Sequence, residues 1–174
     1  MRQFHLAKIE MIPLTAANCH LVVGWRNHEK NRLAHSNSEL ISLEQQQDWF
    51  AKQPIEINQY WLFKCDDAWL GMTHLSEINR YEKTAHIGIL MNPVFFGSGL
   101  SFSLSYLTLK YAFEQEGFNL LFAKLKKDNM EAYRYNQILG FEFLRTHHDP
   151  HFELFQLKKA NYYNSLEDWL PLIN

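Results

Sequence analysis

Residues 92–103, Asn-Pro-Val-Phe-Phe-Gly-Ser-Gly-Leu-Ser-Phe-Ser, set two of the chain's seven glycines around one serine, directly ahead of a long apolar run. Between Gly99 and Glu116, Leu100, Leu104, Leu107 and Tyr111 form one helical stripe, and Phe102, Tyr106, Leu109 and Phe113 form a second. A helix apolar on two sides has to be covered on both, which predicts packing against a sheet. Upstream, "KTAHIGILMNP" reads as a strand stopped by Pro93, which has no amide to donate. At such a strand–turn–helix corner the first helical amides lack internal partners and sit at the positive end of the helix dipole. The glycines therefore predict either a cradle for a phosphate or an ordinary turn that needs positive φ.

The remaining segments place this corner in a mixed fold. "QYWLFKC" and "AWLGMTHLSEI" are strand-like and joined at Asp66-Asp67, as in a tight hairpin. "NLLFAKLK" reads as a buried strand, "NMEAYRYNQIL" as a helix closed by Gly140, and "FEFLRT" with "HFELFQL" as a last hairpin. Toward the start, residues 3–9 read as a first strand. A helix capped by Thr15 follows, with Leu21, Val22 and Trp25 at helical spacing. Ser42 opens another helix, where Gln45 completes a capping box, and Pro54 ends it. The order predicts one domain over 1–174 of α/β (α+β) class, a mostly antiparallel sheet flanked by helices. "NSLEDWLPLIN" reads as a helix packed on the domain or on a second copy, so a homodimer is among the expectations.

Composition narrows the function. Apolar residues make up 47% and aromatics 15%, which argues for a folded core. A net charge of -2 gives no basic field for nucleic acid or an anionic membrane, and neither is expected as a partner. Two distant cysteines, no signal-like N-terminal apolar core and no apolar run of roughly 20 residues predict a cytoplasmic protein. The His-His-Asp-Pro-His stretch at 147–151 falls at a hairpin tip with Pro150, so a solvated turn is expected and no metal.

Residues 85–143 resemble the GNAT superfamily of acetyl-CoA-dependent N-acetyltransferases. Val94-Phe95-Phe96-Gly97-Ser98-Gly99 occupies that family's glycine loop, with Val94 in place of the family's Gln or Arg. Asn129, followed by a helix closing in Leu139-Gly140-Phe141, matches its second signature. The resemblance implies the GNAT fold, with strands splayed at the cofactor site. It implies direct transfer from acetyl-CoA to an amine with no covalent enzyme intermediate, a role that leaves Cys19 and Cys65 aside. Main-chain groups of Leu90, Met91 and Asn92 would hold the pantetheine and acetyl carbonyl, with the Met91 amide facing the oxyanion. Gly97, Ser98, Gly99, Leu100 and Ser101 would wrap the pyrophosphate, and Asn129 would anchor the pantetheine arm.

The acid and base stay open. Asn136 stands where the family's tyrosine acid is expected; it cannot act as an acid but can hydrogen-bond the sulfur, and Tyr133 is a weaker candidate on the face of 129, 133 and 136. Glu77, on the strand beside the splayed one, is the first candidate for the base, with His74 and His86 as alternatives.

A wider resemblance, carried by "GWRNHEKNR" and "ISLEQQQDWF", is to the sugar-nucleotide N-acetyltransferases of the pseudaminic acid pathway. It divides the chain into acceptor-side helices at about 14–53, an acetyl-CoA core at about 60–158 and a tail at 159–174. It implies as acceptor the 4-amino group of a UDP-linked deoxyamino sugar, contacted by Trp25, Arg26, Asn27 and Arg32. Other acceptor classes are protein N-termini, polyamines and antibiotics, and a further alternative is a binding module that has lost turnover.

Overall fold

The computed structural model describes residues 5–35 and 37–173. Among these residues one sheet of seven strands runs β1-β2-β3-β4-β5-β7-β6. The first strand, β1 (Ile9–Pro13), lies antiparallel on β2 (Gln59–Cys65), from Ile9 against Cys65 to Pro13 against Trp61. This corrects the expected strand at 3–9. Leu6–Lys8 form a single 3₁₀ turn, and positions 3 and 4 lie outside the described residues. Pro13 is tolerated because β1 is an edge strand and needs no amide on its outer side.

β2 turns through Asp66-Asp67 into β3 (Ala68–Asn79), with Cys65 opposite Ala68. β4 (Thr84–Met91) pairs antiparallel with β3. Helix α4 (Leu100–Lys110) continues into a π turn at Tyr111–Gln115 before β5 (Leu120–Lys126). Helix α5 (Met130–Ile138), β6 (Glu142–Thr146), β7 (Phe152–Lys158) and helix α6 (Lys159–Trp169) complete the order.

The two faces of the sheet are covered differently. Strand residues such as Phe63, Leu75 and Leu121 meet Leu104, Leu109 and Phe113 of α4 and its π turn in the main core. On the opposite face a smaller cluster joins Leu62, Met72 and Leu90 to Val22 and Trp25 of α1 (Cys19–Asn27). Thr15 caps a short turn at Ala16–Asn18, so α1 starts later than expected, and it breaks at His28, where the backbone becomes extended. A separate short helix, α2 (Glu29–Ala34), follows. In α3 (Leu43–Ala51) the capping box forms as read: Gln45 N–H donates to Ser42 Oγ at 3.1 Å, and the Ser42 amide donates to Gln45 Oε1 at 2.8 Å. No described helix is long and apolar enough to cross a membrane.

The C-terminal helix belongs to this domain's core. Trp169 and Tyr162 of α6 are wholly buried, with Trp169 at 6.2 Å from both Phe102 and Tyr106 and Tyr162 stacked on Phe113 at 5.1 Å. Replacing Trp169 with Ala removes the indole from this aromatic cluster and is expected to cost about 3–5 kcal/mol of unfolding free energy in urea titration. A loss below about 1 kcal/mol would show that α6 is not part of the cooperative fold.

Candidate active site

β4 and β5 are the only parallel neighbours in the sheet of the described residues, and they pair over three positions: Thr84 with Leu120, Ala85 with Leu121, His86 with Phe122. Beyond His86, β4 stays with β3 as far as Met91, while β5 stays with β7 as far as Lys126. The sheet therefore forks. Asn92 N–H donates to Leu70 O at 3.0 Å, and antiparallel alternation turns the Leu90 amide toward β3 as well. The same alternation points the amides of Ile89 and Met91 into the fork. A cavity of about 350 Å³ fills it. Of the three strand residues expected to present main-chain groups, Met91 alone turns its amide there.

The glycine corner sits at the open end of the fork. Asn92 pins its start with its side chain: Oδ1 accepts from the Val94 amide at 3.1 Å and Nδ2 donates to Trp69 O at 2.7 Å. Gly97 (φ 73°) and Gly99 (φ 81°) are left-handed, and a Cβ added to either would meet nothing within 4 Å. Conformation requires these glycines, and open space lies in front of them. Ser98 Oγ donates to Phe95 O at 2.7 Å and accepts from the Leu100 amide at 3.3 Å. The amides of Gly97, Gly99 and Ser101 meet no acceptor among the described residues. Three unsatisfied donors at the start of an eleven-residue helix suit an anion such as a diphosphate.

Helix α5 forms the opposite wall. Asn129 caps it, Oδ1 accepting from the Ala132 amide at 3.0 Å, and also lines the cavity. Asn136 is buried beside the cavity, with Nδ2 donating to Ala132 O at 2.8 Å. The face turned to the fork carries 129, 132, 135, 136 and 139. Tyr133 points elsewhere, donating to the Glu153 carboxylate with its ring edge on Phe155. This corrects the expected face of 129, 133 and 136. Tyr135 lines the cavity instead; its hydroxyl lies 2.6 Å from Ser105 Oγ and donates to Ser101 O at 2.7 Å. Small Ala132, at i+3 from Asn129, was the signal for the true face.

The residues expected to touch the acceptor do not line the cavity. Trp25 is packed in the smaller core. Arg26 is buried and donates to Asn37 O, Arg32 donates to Ser38 O at 2.6 Å, and Asn27 bonds both backbone groups of Ile41 at 2.8 and 2.9 Å. Together they fold the segment after α2 back on α1. The α2 residue that reaches the fork is Asn31, whose Nδ2 donates to Trp25 O and to Met91 O, both at 2.9 Å. Ala34 and His35 extend this lining.

The proton-transfer candidates lie together on the α1 side. Glu77 occupies a bulge where pairing slips between Ser76 and Asn79, and its φ of 51° lifts it out of strand alternation. Its side chain is exposed at the cavity rim, with Oε2 3.7 Å from His86 Nε2. Burial holds His86 below its ordinary value, an effect opposed by the Glu77 charge. His74 lies over Gly88, and burial together with His86 brings its pKa down to about 4, so the ring is neutral at neutral pH. Among the described residues no group of three or more His, Cys, Asp or Glu side chains is placed to hold a metal, and His147–His151 lie in the β6–β7 turn.

A family model described as "Acetyltransferase (GNAT) domain" matches residues 8–142. No curated protein matches the sequence. Similar solved structures include the spermidine N-acetyltransferase from Vibrio cholerae in complex with CoA and spermine. That structure has a TM-score of 0.78 at 15% identity, covering 91% of this chain and 99% of that one. A chimera of the Vibrio cholerae enzyme and hSSAT gives 0.76 at 14%, covering 90% and 99%. The same enzyme in complex with manganese ions gives 0.71 at 15%, covering 91% and 97%. At such identities the likeness shows the fold, whereas the family match spans most of the chain and takes in both the fork and the glycine corner. The chain belongs to the acetyltransferase (GNAT) domain family and is an acetyl-CoA-dependent N-acetyltransferase.

Proposed function

We propose that acetyl-CoA lies in the fork with its pyrophosphate on the amides of Gly97, Gly99 and Ser101, and that an amine arriving from the α1–α2 face attacks its thioester directly. One observation carries this reading: β4 and β5 part after His86 and Phe122 at the end of the sheet where α4 begins with unsatisfied amides. Ser98 and Leu100 support the corner, Ser98 through its hydroxyl bonds and Leu100 through its buried side chain. Leu90 and Asn92 hold β4 and the corner in place, leaving the Met91 amide to face the carbonyl oxygen as charge develops on it. Asn129 and Asn136 flank the pantetheine arm from α5, with the second Asn136 amide hydrogen available to the sulfur.

In the reaction the amine lone pair bonds to the acyl carbon, the carbon–sulfur bond breaks with its electrons on sulfur, and one N–H proton is lost. Burial keeps the Tyr135 phenol well above its ordinary value, so it stays protonated and offers a hydroxyl, rather than a strong acid, on the α5 side of the cavity. Glu77 at the rim is the carboxylate through which the amine proton leaves.

We further propose an acceptor amine on an uncharged or anionic carrier, of which a nucleotide-linked amino sugar is the best match to the first helices' sequence. The cavity lining offers a polycation one carboxylate, Glu77, against Lys124, Lys126 and three histidines. Arg26 and Arg32 behind it have no carboxylate partner among the described residues, which adds positive potential on the acceptor side. The polyamine reading draws on the named substrates of the similar structures.

Two outcomes follow. Gly97→Ala and Gly99→Ala should stay folded while acetyl-CoA affinity by calorimetry falls on the order of 10- to 100-fold, the worth of hydrogen bonds to a charged group; unchanged affinity in both would refute the pyrophosphate assignment. With acetyl-CoA saturating, a UDP-linked 4-amino sugar should show a higher kcat/KM than spermidine, and the reverse order would establish the polyamine reading.

A further inference from the structure

A half-buried histidine bordering the cavity has no hydrogen bond among the described residues that accounts for its position. His74 of β3 stands opposite Gly88 of β4, and Ser76 stands opposite His86. Directly opposed residues share a face, so His74 and His86 are diagonal neighbours on the side covered by α1 and α2. A Cβ built on Gly88 would fall 2.2 Å from His74 Cε1 and 2.8 Å from Nε2. Only glycine leaves room for the ring where it stands, so the ring lies across β4 at a position two residues past His86, where the strands have already parted. The Tyr60 ring backs it, with centroids 5.6 Å apart. No hydrogen bond to either ring nitrogen is found among the described residues. From there the side chains run outward through His86 to Glu77, whose nearest approach is 3.7 Å, and all three line the cavity.

We propose that His74 is the catalytic residue that takes the proton from the attacking nitrogen, and that His86 and Glu77 relay it to solvent. The inference rests on the acetyl-transfer reading above and adds to it the first acceptor in the proton's path. The exposed Glu77 carboxylate sits at the rim, whereas His74 is less exposed and lines the cavity against Gly88 on the open stretch of β4. As the N–C bond forms, the nitrogen becomes cationic and acidic; one N–H bond breaks and its proton passes to an imidazole nitrogen of His74. The electron pair of the breaking carbon–sulfur bond stays on sulfur, which is protonated separately, so amine and thioester yield amide and thiol with no redox change. The ring is neutral at neutral pH, so it is free to accept a proton from the cationic nitrogen and does not retain it. The glycine at 88 has a functional reason in this account: it seats the base.

The test uses the full chain with acetyl-CoA and hydroxylamine, a small amine probe that needs no carrier recognition, following hydroxamate formation and thiol release. His74→Gln should lower kcat by about 100-fold or more, the usual worth of a general base, with the KM for acetyl-CoA little changed. In His74→Ala, added imidazole should restore part of the lost rate. Gly88→Ala keeps the histidine but removes its seat and should lose kcat likewise, which guards against a misfolded His74 variant. If His74→Gln and Gly88→Ala, both folded, stay within about twofold of the unaltered chain, the assignment is overturned. If the unaltered chain itself forms no hydroxamate and releases no thiol with any amine tried, the underlying transfer reading fails and the role of His74 fails with it.

Discussion

Three pairs of residues hold β4 to β5, and then the two strands separate. Every other feature of the site follows from that separation. Backbone amides in the middle of a sheet are costly to leave without partners, and here alternation turns those of Ile89 and Met91 away from β3 toward the fork, where Ile89 lines the cavity. Each strand remains secured on its outer side, β4 by β3 and β5 by β7, so the fork stays open without collapse of the sheet. α4 is anchored in the main core by wholly buried Leu104 and Leu109, and its N-terminus is thereby fixed at the fork's open end. The sheet supplies donors along the slot and the helix supplies donors at its mouth, a geometry suited to an extended molecule with an anionic end.

The α1–α2 side performs a different task. Its conspicuous polar residues, Arg26, Asn27 and Arg32, are occupied by carbonyls of the chain that follows α2. This leaves Asn31 to bridge α1 and β4 through the carbonyls of Trp25 and Met91. Lys30 reaches Glu131 of α5 at 2.7 Å and Lys126 donates to Leu33 O at 2.9 Å, so α2 spans both arms of the fork. Both contacts are exposed and individually weak, and α2 is held mainly through Asn31.

Much of the fold was legible because local signals agreed with one another. The Ser42–Gln45 capping box, the Asp66-Asp67 hairpin and the glycine stop after α5 rest on short-range chemistry, and each formed as read. The site was legible less evenly. The glycine corner announces itself, since positive φ at 97 and 99 leaves few alternatives. Glu77 reads as an ordinary residue of the strand beside the fork, whereas a bulge after Ser76 takes it out of alternation, and no residue preference marks that bulge in advance. Tyr133 and Tyr135 differ by two positions on one helix, and which of them faces the fork depends on how α5 rolls against β7. Arg26 and Arg32 read as ligand contacts through the resemblance of the first helices, yet the carbonyls of Asn37 and Ser38 take them first. Side-chain direction within an element is a tertiary property, and the sequence constrains it weakly.

Amide hydrogen exchange with and without coenzyme A tests the central claim most directly. Saturating coenzyme A should slow exchange at Gly97, Gly99 and Ser101, and at Ile89 and Met91 along the slot, while amides of β1 and β2 keep their rates. Tight binding of coenzyme A with no added protection at the glycine corner or along the β4 side of the fork would contradict the account.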